Sequence, residues 1–428
     1  MTMRVDADDF GRPCSCGKEH HIDVRDILIE AGAIEKLGEM MSDGDLTEYI
    51  SPLIICDTNT YEATEEAMED IYDRCQVITL DAEDLHANNY AVEIIQSNME
   101  DDIDLILAVG AGTIHDLSRY VAAQQGIPFV SIPTAASVDG FVSTVAAMTW
   151  DGLKKTIPAA APICVIADTE IFARAPKRLT ASGASDLFGK YICLADWKIA
   201  SLVTGEYICD EVCHLEEKAL KEVRSCIKGL KEQDPQDCEE LMYALILSGL
   251  AMQMIGNSRP ASCAEHHMSH LWEMEVLNDR LDALHGEKVG IGLLLALREY
   301  KRIGRAIEEG RCQVHEYGGM EEQLLKDTFG KKGLLDGILA ENTPDPLEEI
   351  APEVLEECLP QIAEIIAGLP EPEEMEELLK KGGCLTKLEQ IGLNQSIVPM
   401  TLRLSPYVRN RLSLMRLRKM LVIDGEEL

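Results

Sequence analysis

The sequence predicts an α/β half built on a parallel sheet, followed by an all-α half. Three observations carry this. Up to about residue 178, short β-branched runs alternate with stretches of helical periodicity, as a sheet flanked by helices requires. Beyond about residue 180 the strand signal fades and long amphipathic stretches replace it. With 428 residues, the chain exceeds what one hydrophobic core usually serves. Two domains are therefore expected, an α/β one over residues 1–178 and a helical one over residues 179–428.

In chain order, residues 53–57 (LIICD), 77–80 (VITL), 105–109 (LILAV) and 129–132 (FVSI) are brief apolar runs suited to buried parallel strands. Between them, residues 63–74 and 85–99 have helical spacing. Further helices are expected at 186–203, 214–230, 239–255 and 289–307. The Glu-rich segment 343–383 carries Leu347, Ile350, Val354, Leu355, Leu359, Ile362, Ile365 and Ile366 at helical spacing. It reads as short acidic helices whose charge is solvated, not as a disordered tail.

The balance of 39 basic against 76 acidic residues leaves a net charge of −37, which repels nucleic acid and anionic membranes. An anionic substrate must then be held by a few local cations. The polar, acidic start MTMRVDADDF is unlike a secretory leader, and no apolar run approaches the roughly 20 residues of a membrane span. Fourteen cysteines without a repeating spacing read as free thiols in a reducing cytoplasm. Cys14 and Cys16 followed by His20 and His21 invite a zinc-knuckle reading, but C-x-C is not the usual spacing and no second ligand pair follows. A plain N-terminal strand and turn is the expectation there.

Gly110-Ala-Gly112 follows an expected strand and opens an expected helix, the context in which backbone N–H groups receive a pyrophosphate. A second polar loop, Thr134-Ala-Ala-Ser137, follows the next strand, and two such loops can clamp one dinucleotide. Asp57 ends the strand 53–57, where a carboxylate accepts from ribose hydroxyls and repels a 2′-phosphate, favouring NAD(H) over NADP(H).

Asp186 lies near the start of an expected helix beginning about residue 184, with Lys190 on the same face; alone, such an Asp reads as a helix cap. His266 and His270 are also four apart, with His267 turned about 100° away. His285 precedes Gly286-Glu287 at an expected helix start. One carboxylate and two imidazoles suit zinc, and also nickel(II) or iron(II), while leaving a position open for a substrate oxygen. Spacing does not choose between His266 and His267. An H-E-x-x-H signature is absent, which argues against a metallopeptidase. For a phosphorylated substrate, Arg259 in Asn257-Ser-Arg-Pro260 is the best candidate cation, with Lys154 and Lys155 next.

Taken together, VGAGTIHD, SIPTAASVDGFVS, SGASDLFGKY, SRPAS with EHHMSHLWEM, and LHGEKVGIG resemble the bacterial-type sn-glycerol-1-phosphate dehydrogenase family. That family lies within the superfamily of glycerol dehydrogenases, iron-type alcohol dehydrogenases and dehydroquinate synthases, and the resemblance covers most of residues 20–300. It implies a dehydroquinate synthase-like fold, a cytoplasmic homodimer, and reversible NAD(P)H-dependent reduction of dihydroxyacetone phosphate to sn-glycerol-1-phosphate, a precursor for phospholipid or other phosphoglycerol synthesis. It assigns Asp186, His266 and His285 to one divalent metal and makes His270 a substrate contact in the catalytic set. Gly110, Gly112, Thr113, Ile114, His115, Asp116, Thr134, Ala135, Ala136, Ser137 and Ser143 would meet the cofactor, and Asp139 and Asp186 the substrate. By analogy with dehydroquinate synthases, Arg259, Lys154 and Lys155 would hold the phosphate. Departures are Ala111 and Cys263, where glycines are common, and the acidic C-terminal extension; Cys263 is a candidate for oxidation sensitivity. The competing expectations are oxidation of an unphosphorylated polyol, a dehydroquinate synthase-like lyase, and a non-catalytic binder of dinucleotide and metal.

Overall fold

The computed structural model describes residues 3–4 and 14–427. The first half runs β1 (Met3–Arg4), β2 (Asp26–Glu30), α1 (Ala33–Asp43), β3 (Pro52–Asp57), α2 (Thr58–Tyr72), β4 (Gln76–Leu80), α3 (Asn89–Asn98), β5 (Leu105–Gly110), α4 (Gly112–Gln125) and β6 (Phe129–Pro133). It continues with β7 (Val145–Trp150), β8 (Leu153–Pro158), β9 (Cys164–Asp168) and α5 (Thr169–Phe172). The sheet order is β1-β2-β9-β6-β5-β3-β4, six parallel strands with β1 antiparallel at the edge. Every residue of β5, β6 and β9 is buried, which is why these strands read as unbroken apolar runs. β7 and β8 form a separate antiparallel hairpin.

In this half two helix starts differ from the periodicity. α2 begins earlier than expected because Asp57 caps it, its Oδ1 accepting from Asn59 N at 3.0 Å and Thr60 N at 2.9 Å. α3 begins later, at a cap made by Asn88 accepting from Ala91 N at 2.9 Å. Residues 85–88 are left as a loop, and they line the cavity described below.

The second half contains α6 (Lys177–Phe188), α7 (Lys190–Thr204), α8 (Asp210–Leu230), α9 (Pro235–Ile255), α10 (Ala264–Glu273) and α11 (His285–Glu308). The single helix expected at 186–203 is two, divided at Gly189. A Cβ there would sit 3.0 Å from Asp186 O and from Val289 Cγ1, and 3.1 Å from Glu265 Cγ, so α10 and α11 crowd the break and would have to give way to a side chain. Asp186 consequently ends a helix instead of opening one. The acidic segment forms helices Pro352–Ala367 and Pro372–Lys381, which bury Leu355, Leu359, Ile362 and Ile366 and pair outward charges such as Glu374 with Arg224.

The second half is not wholly helical. Strands β10 (Cys312–Val314), β11 (Leu421–Ile423) and β12 (Glu426–Glu427) make a small antiparallel sheet that brings the C-terminal segment back beside α11. Pieces of two or three residues are too short for a period-2 signal. Among the described residues α9 alone has the length and apolarity to cross a bilayer, yet 72% of its apolar window is buried within the protein. One apolar cluster joins Ile27, Ile29 and Val165 of the sheet to Trp197, Leu245, Leu293 and Tyr300 of the helices.

Candidate active site

A cavity of about 480 Å³ lies between the carboxyl ends of the sheet strands and helices α6, α10 and α11, a size suited to small-molecule sites. On the sheet side it is lined by Ala111, Gly112, Thr113 and Asp116 at the start of α4, then Ser137, Asp139 and Ser143. Among the described residues no side chain caps α4, so its first N–H groups are open to an anion. Ala111 is extended (φ −92°, ψ −166°), a conformation any residue adopts, which explains how the loop accepts a Cβ there.

Several expected cofactor contacts stand behind this wall. Gly110, Ile114, His115, Thr134, Ala135 and Ala136 do not line the cavity, and neither does Asp57, whose Oδ1 caps α2. His115 is buried and braces the loop. Its Nδ1 donates to Ala111 O at 3.0 Å, its Nε2 accepts from Ser131 Oγ at 2.8 Å, and burial depresses its pKa to about 3. Ala136 meets the helical half through its backbone. A Cβ on Gly183 would come within 2.1 Å of Ala136 O, so α6 can seat against this loop only with glycine at that position.

Asp186, His266 and His285 converge on the helical side, each offering a donor atom within 4.8 Å of the others. Two hydrogen bonds set the imidazole tautomers. His266 Nδ1 donates to Glu265 Oε1 at 2.7 Å and His285 Nδ1 to Glu273 Oε1 at 3.1 Å, since a carboxylate oxygen accepts; both Nε2 lone pairs are left free. His266 Nε2 then faces Asp186 Oδ1 at 3.2 Å, and among the described residues that buried oxygen receives no hydrogen bond, the Lys190 ammonium standing 3.5 Å away. Two lone pairs facing each other require a cation between them. A proton can serve: burial lowers the His266 pKa, but Asp186 and Glu265 outweigh it and raise the value to about 9. A divalent metal answers the same field with more charge, and the donor set fits one. Burial raises the Asp186 carboxyl, while Lys190 and His266 together hold it below the usual carboxylate range. Among the described residues buried His267 has no partner at either ring nitrogen and is not part of the cluster, so the fold separates the two histidines that spacing could not. His270 lines the cavity with its ring centroid 5.6 Å from that of His285, and burial holds its pKa well below the ordinary value.

Behind the cluster, fully buried Lys190 holds two of the acidic residues that line the cavity, with Nζ 2.7 Å from Asp139 Oδ2 and 3.5 Å from Asp186 Oδ1. Ser248 Oγ lies 2.9 Å from Asp139 Oδ2 and 3.0 Å from Glu216 Oε1. One hydroxyl proton cannot satisfy two carboxylates, and burial, the largest influence on Glu216, raises its pKa to about 8. Glu216 is therefore neutral at pH 7 and supplies the second proton. Its folded pKa exceeds the unfolded value of about 4.3, so its contribution to stability is complete below that value and is lost as pH rises towards about 8. Comparing thermal melts of Glu216→Gln and wild type across this window should show a flatter pH dependence in the variant; parallel curves would refute the assignment.

Three expectations are corrected. Arg259 does not line the cavity; its guanidinium is 2.7 Å from Glu206 Oε1 and also donates to Cys263 Sγ and Leu412 O, a structural clamp with no donor aimed at substrate. Lys155 is exposed and does not line the cavity, because successive residues of β8 point to opposite faces and Lys154 takes the inner one. Cys263 is fully buried and its thiol pKa is pushed well up by burial, which makes it unreactive. Conversely, Lys288 and Glu273 were not singled out from sequence. Lys154 and Lys288 each place Nζ 3.1 Å from the Glu273 carboxylate on the cavity wall. The only available signal was position: Lys288 lies one turn after His285, and Glu273 three residues after His270.

Residues 28–176 match the iron-containing alcohol dehydrogenase family. Over 403 residues, 92% of each chain, the sequence is 32% identical to a glycerol-1-phosphate dehydrogenase (NAD(P)+) of Geobacillus stearothermophilus. It is 29% identical over 312 residues to that of Methanosarcina barkeri, covering 73% of this chain and 86% of the relative. Among solved structures, a probable glycerol dehydrogenase from Sinorhizobium meliloti superposes with a TM-score of 0.58 at 18% identity, over 89% of this chain and 88% of that one. An archaeal Red Sea brine pool alcohol dehydrogenase gives 0.60 at 14% identity, over 96% and 95%. At such identities the structures speak for the fold, while the sequence relatives speak for the family. The chain is an oxidoreductase that belongs to the glycerol-1-phosphate dehydrogenase (NAD(P)+) family.

Proposed function

We propose that the protein reversibly reduces dihydroxyacetone phosphate to sn-glycerol-1-phosphate, with residues 1–178 holding the dinucleotide and residues 179–428 the metal and substrate. The observation that carries this reading is one cavity containing both the Asp186–His266–His285 cluster and the paired ammonium groups of Lys154 and Lys288. The cluster suits a carbonyl oxygen and the ammonium pair suits a phosphate. In a chain of net charge −37, such local cations need a reason to be there.

Asp186, His266 and His285 would hold the metal, for which zinc is proposed first and nickel(II) or iron(II) share the donor chemistry. When bound, the metal supplies Lewis acidity at the ketone oxygen and the nicotinamide supplies the hydride. Ala111, Gly112 and Thr113 receive the pyrophosphate on free N–H groups, with Ser137 and Ser143 further along the wall. Asp57, at the end of β3, is proposed to favour NAD(H) through its second oxygen. Asp139, fixed by Lys190 and Ser248, accepts from a substrate hydroxyl, and neutral His270 serves as a hydrogen-bond partner of the substrate. Glu273 keeps the two lysines in place until phosphate joins them. We further propose a cytoplasmic homodimer; all fourteen cysteines are free thiols, in keeping with a reducing compartment.

Lys154→Ala and Lys288→Ala should each lower kcat/KM for dihydroxyacetone phosphate roughly 10- to 100-fold, the worth of one charged hydrogen bond at about 1.5–3 kcal/mol. Turnover of unphosphorylated dihydroxyacetone should not change in step. Arg259→Ala is the control, expected to reduce stability and leave KM for the phosphorylated ketone intact. Equal losses on both ketones, or turnover of dihydroxyacetone alone, would move the assignment to a polyol dehydrogenase; no net NADH consumption would favour the lyase.

A further inference from the structure

Well apart in sequence from the Asp186 cluster, Cys14, Cys16 and His20 meet Cys209, the residue that opens α8. All four donor atoms lie within 4.8 Å of one another. Cys14 Sγ is 3.5 Å from Cys209 Sγ, and His20 Nε2 is 3.4 Å from both Cys16 Sγ and Cys209 Sγ. A tetrahedral zinc ion with metal–sulfur bonds of about 2.3 Å has sulfur–sulfur edges of about 3.8 Å, and slightly shorter sulfur–nitrogen edges. The spacings match that shell. A Cys14–Cys209 disulfide would need the sulfurs at about 2.05 Å and would leave Cys16 and His20 without a role.

The surroundings favour a metal as well. Met254 O accepts from His20 Nδ1 at 2.6 Å, so the proton is on Nδ1 and the Nε2 lone pair faces the sulfurs, the orientation that metal-binding histidines take. His21, the alternative in sequence, is exposed. A turn closed by Gly17 N donating to Cys14 O at 3.1 Å, with Gly17 at φ +81°, brings Cys14 and Cys16 to one side. Lys18 N at 3.4 Å and the Tyr207 hydroxyl at 3.1 Å both donate to Cys16 Sγ, spreading the charge of a thiolate. C-x-C with a single useful histidine looked incomplete because the missing ligand lies 189 residues beyond His20.

We propose that Cys14, Cys16, His20 and Cys209 bind one zinc ion in a closed structural site. Four protein ligands leave no position for substrate, so the ion fastens chain instead of performing chemistry. It ties the segment leading into β2 to the start of α8 and the end of α9. The same segment continues to Asp23, whose N donates to Gln253 Oε1 at 2.8 Å, and Gln253 in turn donates to Val142 O, three residues from Asp139. Loss of the ion should therefore lower Tm while leaving turnover of the folded enzyme near wild type.

The test is metal analysis of the full chain purified under reducing conditions, together with absorption spectra after cobalt(II) loading. One zinc equivalent should persist in His285→Ala and disappear in Cys209→Ser and Cys16→Ser. Cobalt-loaded wild type should show a thiolate-to-metal charge-transfer band, which the sulfur-free Asp186 cluster cannot produce. If the serine variants fail to fold, the wild-type spectrum alone decides. Absence of that band, or a reduced native protein with no zinc beyond the Asp186 cluster, would overturn the proposal, as would a Cys14–Cys209 disulfide in the active enzyme.

Discussion

His285→Ala should lose its active-site metal and with it turnover, by roughly 10³-fold or more, since several kcal/mol of charge stabilisation at the ketone oxygen depend on the ion. The fold should survive. His285 is the first residue of α11 and is partly exposed, and the helix is still entered through Leu284 N donating to Glu287 Oε2 at 2.7 Å. Loss of activity with the Tm of metal-free wild type thus separates a ligand from a structural histidine. Glu273→Gln should be milder, about 10- to 100-fold, because an amide oxygen still accepts from His285 Nδ1 but no longer strengthens the ring as a ligand. Undiminished turnover of His285→Ala in metal-free buffer would rule the cluster out as the catalytic centre.

Lys190→Met should be the most destabilising single change in the site, by about 3–5 kcal/mol, the usual result of removing one partner from a buried ion pair. The loss leaves Asp139 and Asp186 facing each other across space that the ammonium had occupied. Burial opposes the Lys190 charge, but Asp139 and Asp186 prevail and raise its pKa above the ordinary value. Titration of Lys190 itself therefore removes nothing below about 10.4, the unfolded lysine value, whereas the Asp186 share, from a carboxyl held below its usual range, is present above about 3.9 and is lost only as pH falls further. In the variant the order reverses: lower pH, or added divalent metal, should recover stability by neutralising the stranded carboxylates. Pairing Lys190→Met with Asp139→Asn should cost less than the two single changes summed. Wild-type melting of Lys190→Met would refute the account.

Local pattern made much of this protein legible. The apolar runs 53–57, 105–109 and 129–132 are strands because a parallel sheet covered on both faces demands unbroken apolar residues, and that demand is written residue by residue. The four-residue spacing of His266 and His270 placed both on one helix face, and His285 before Gly-Glu marked a helix start, since helical geometry depends only on near neighbours. Arg259 was misread for the opposite reason. A guanidinium beside a histidine cluster in sequence has no fixed direction until Glu206 and Leu412, from distant segments, engage it. Lys154 and Lys155 differ only in which face of β8 they occupy, and the packing of the hairpin decides that.

Sequence by itself determined the two-part architecture, four of the six parallel strands and most of the long helices, the family, and the residue types able to hold a metal, because periodicity and motif are properties of residues a few positions apart. Tertiary structure alone decided that Gly189 divides a helix, that Lys288 and Lys154 share Glu273, that His266 and not His267 meets Asp186, and that Cys209 closes on Cys14, Cys16 and His20. Each of those is a meeting of elements far apart in the chain. Its energy comes from burial and electrostatics in a shared space, which no local pattern encodes.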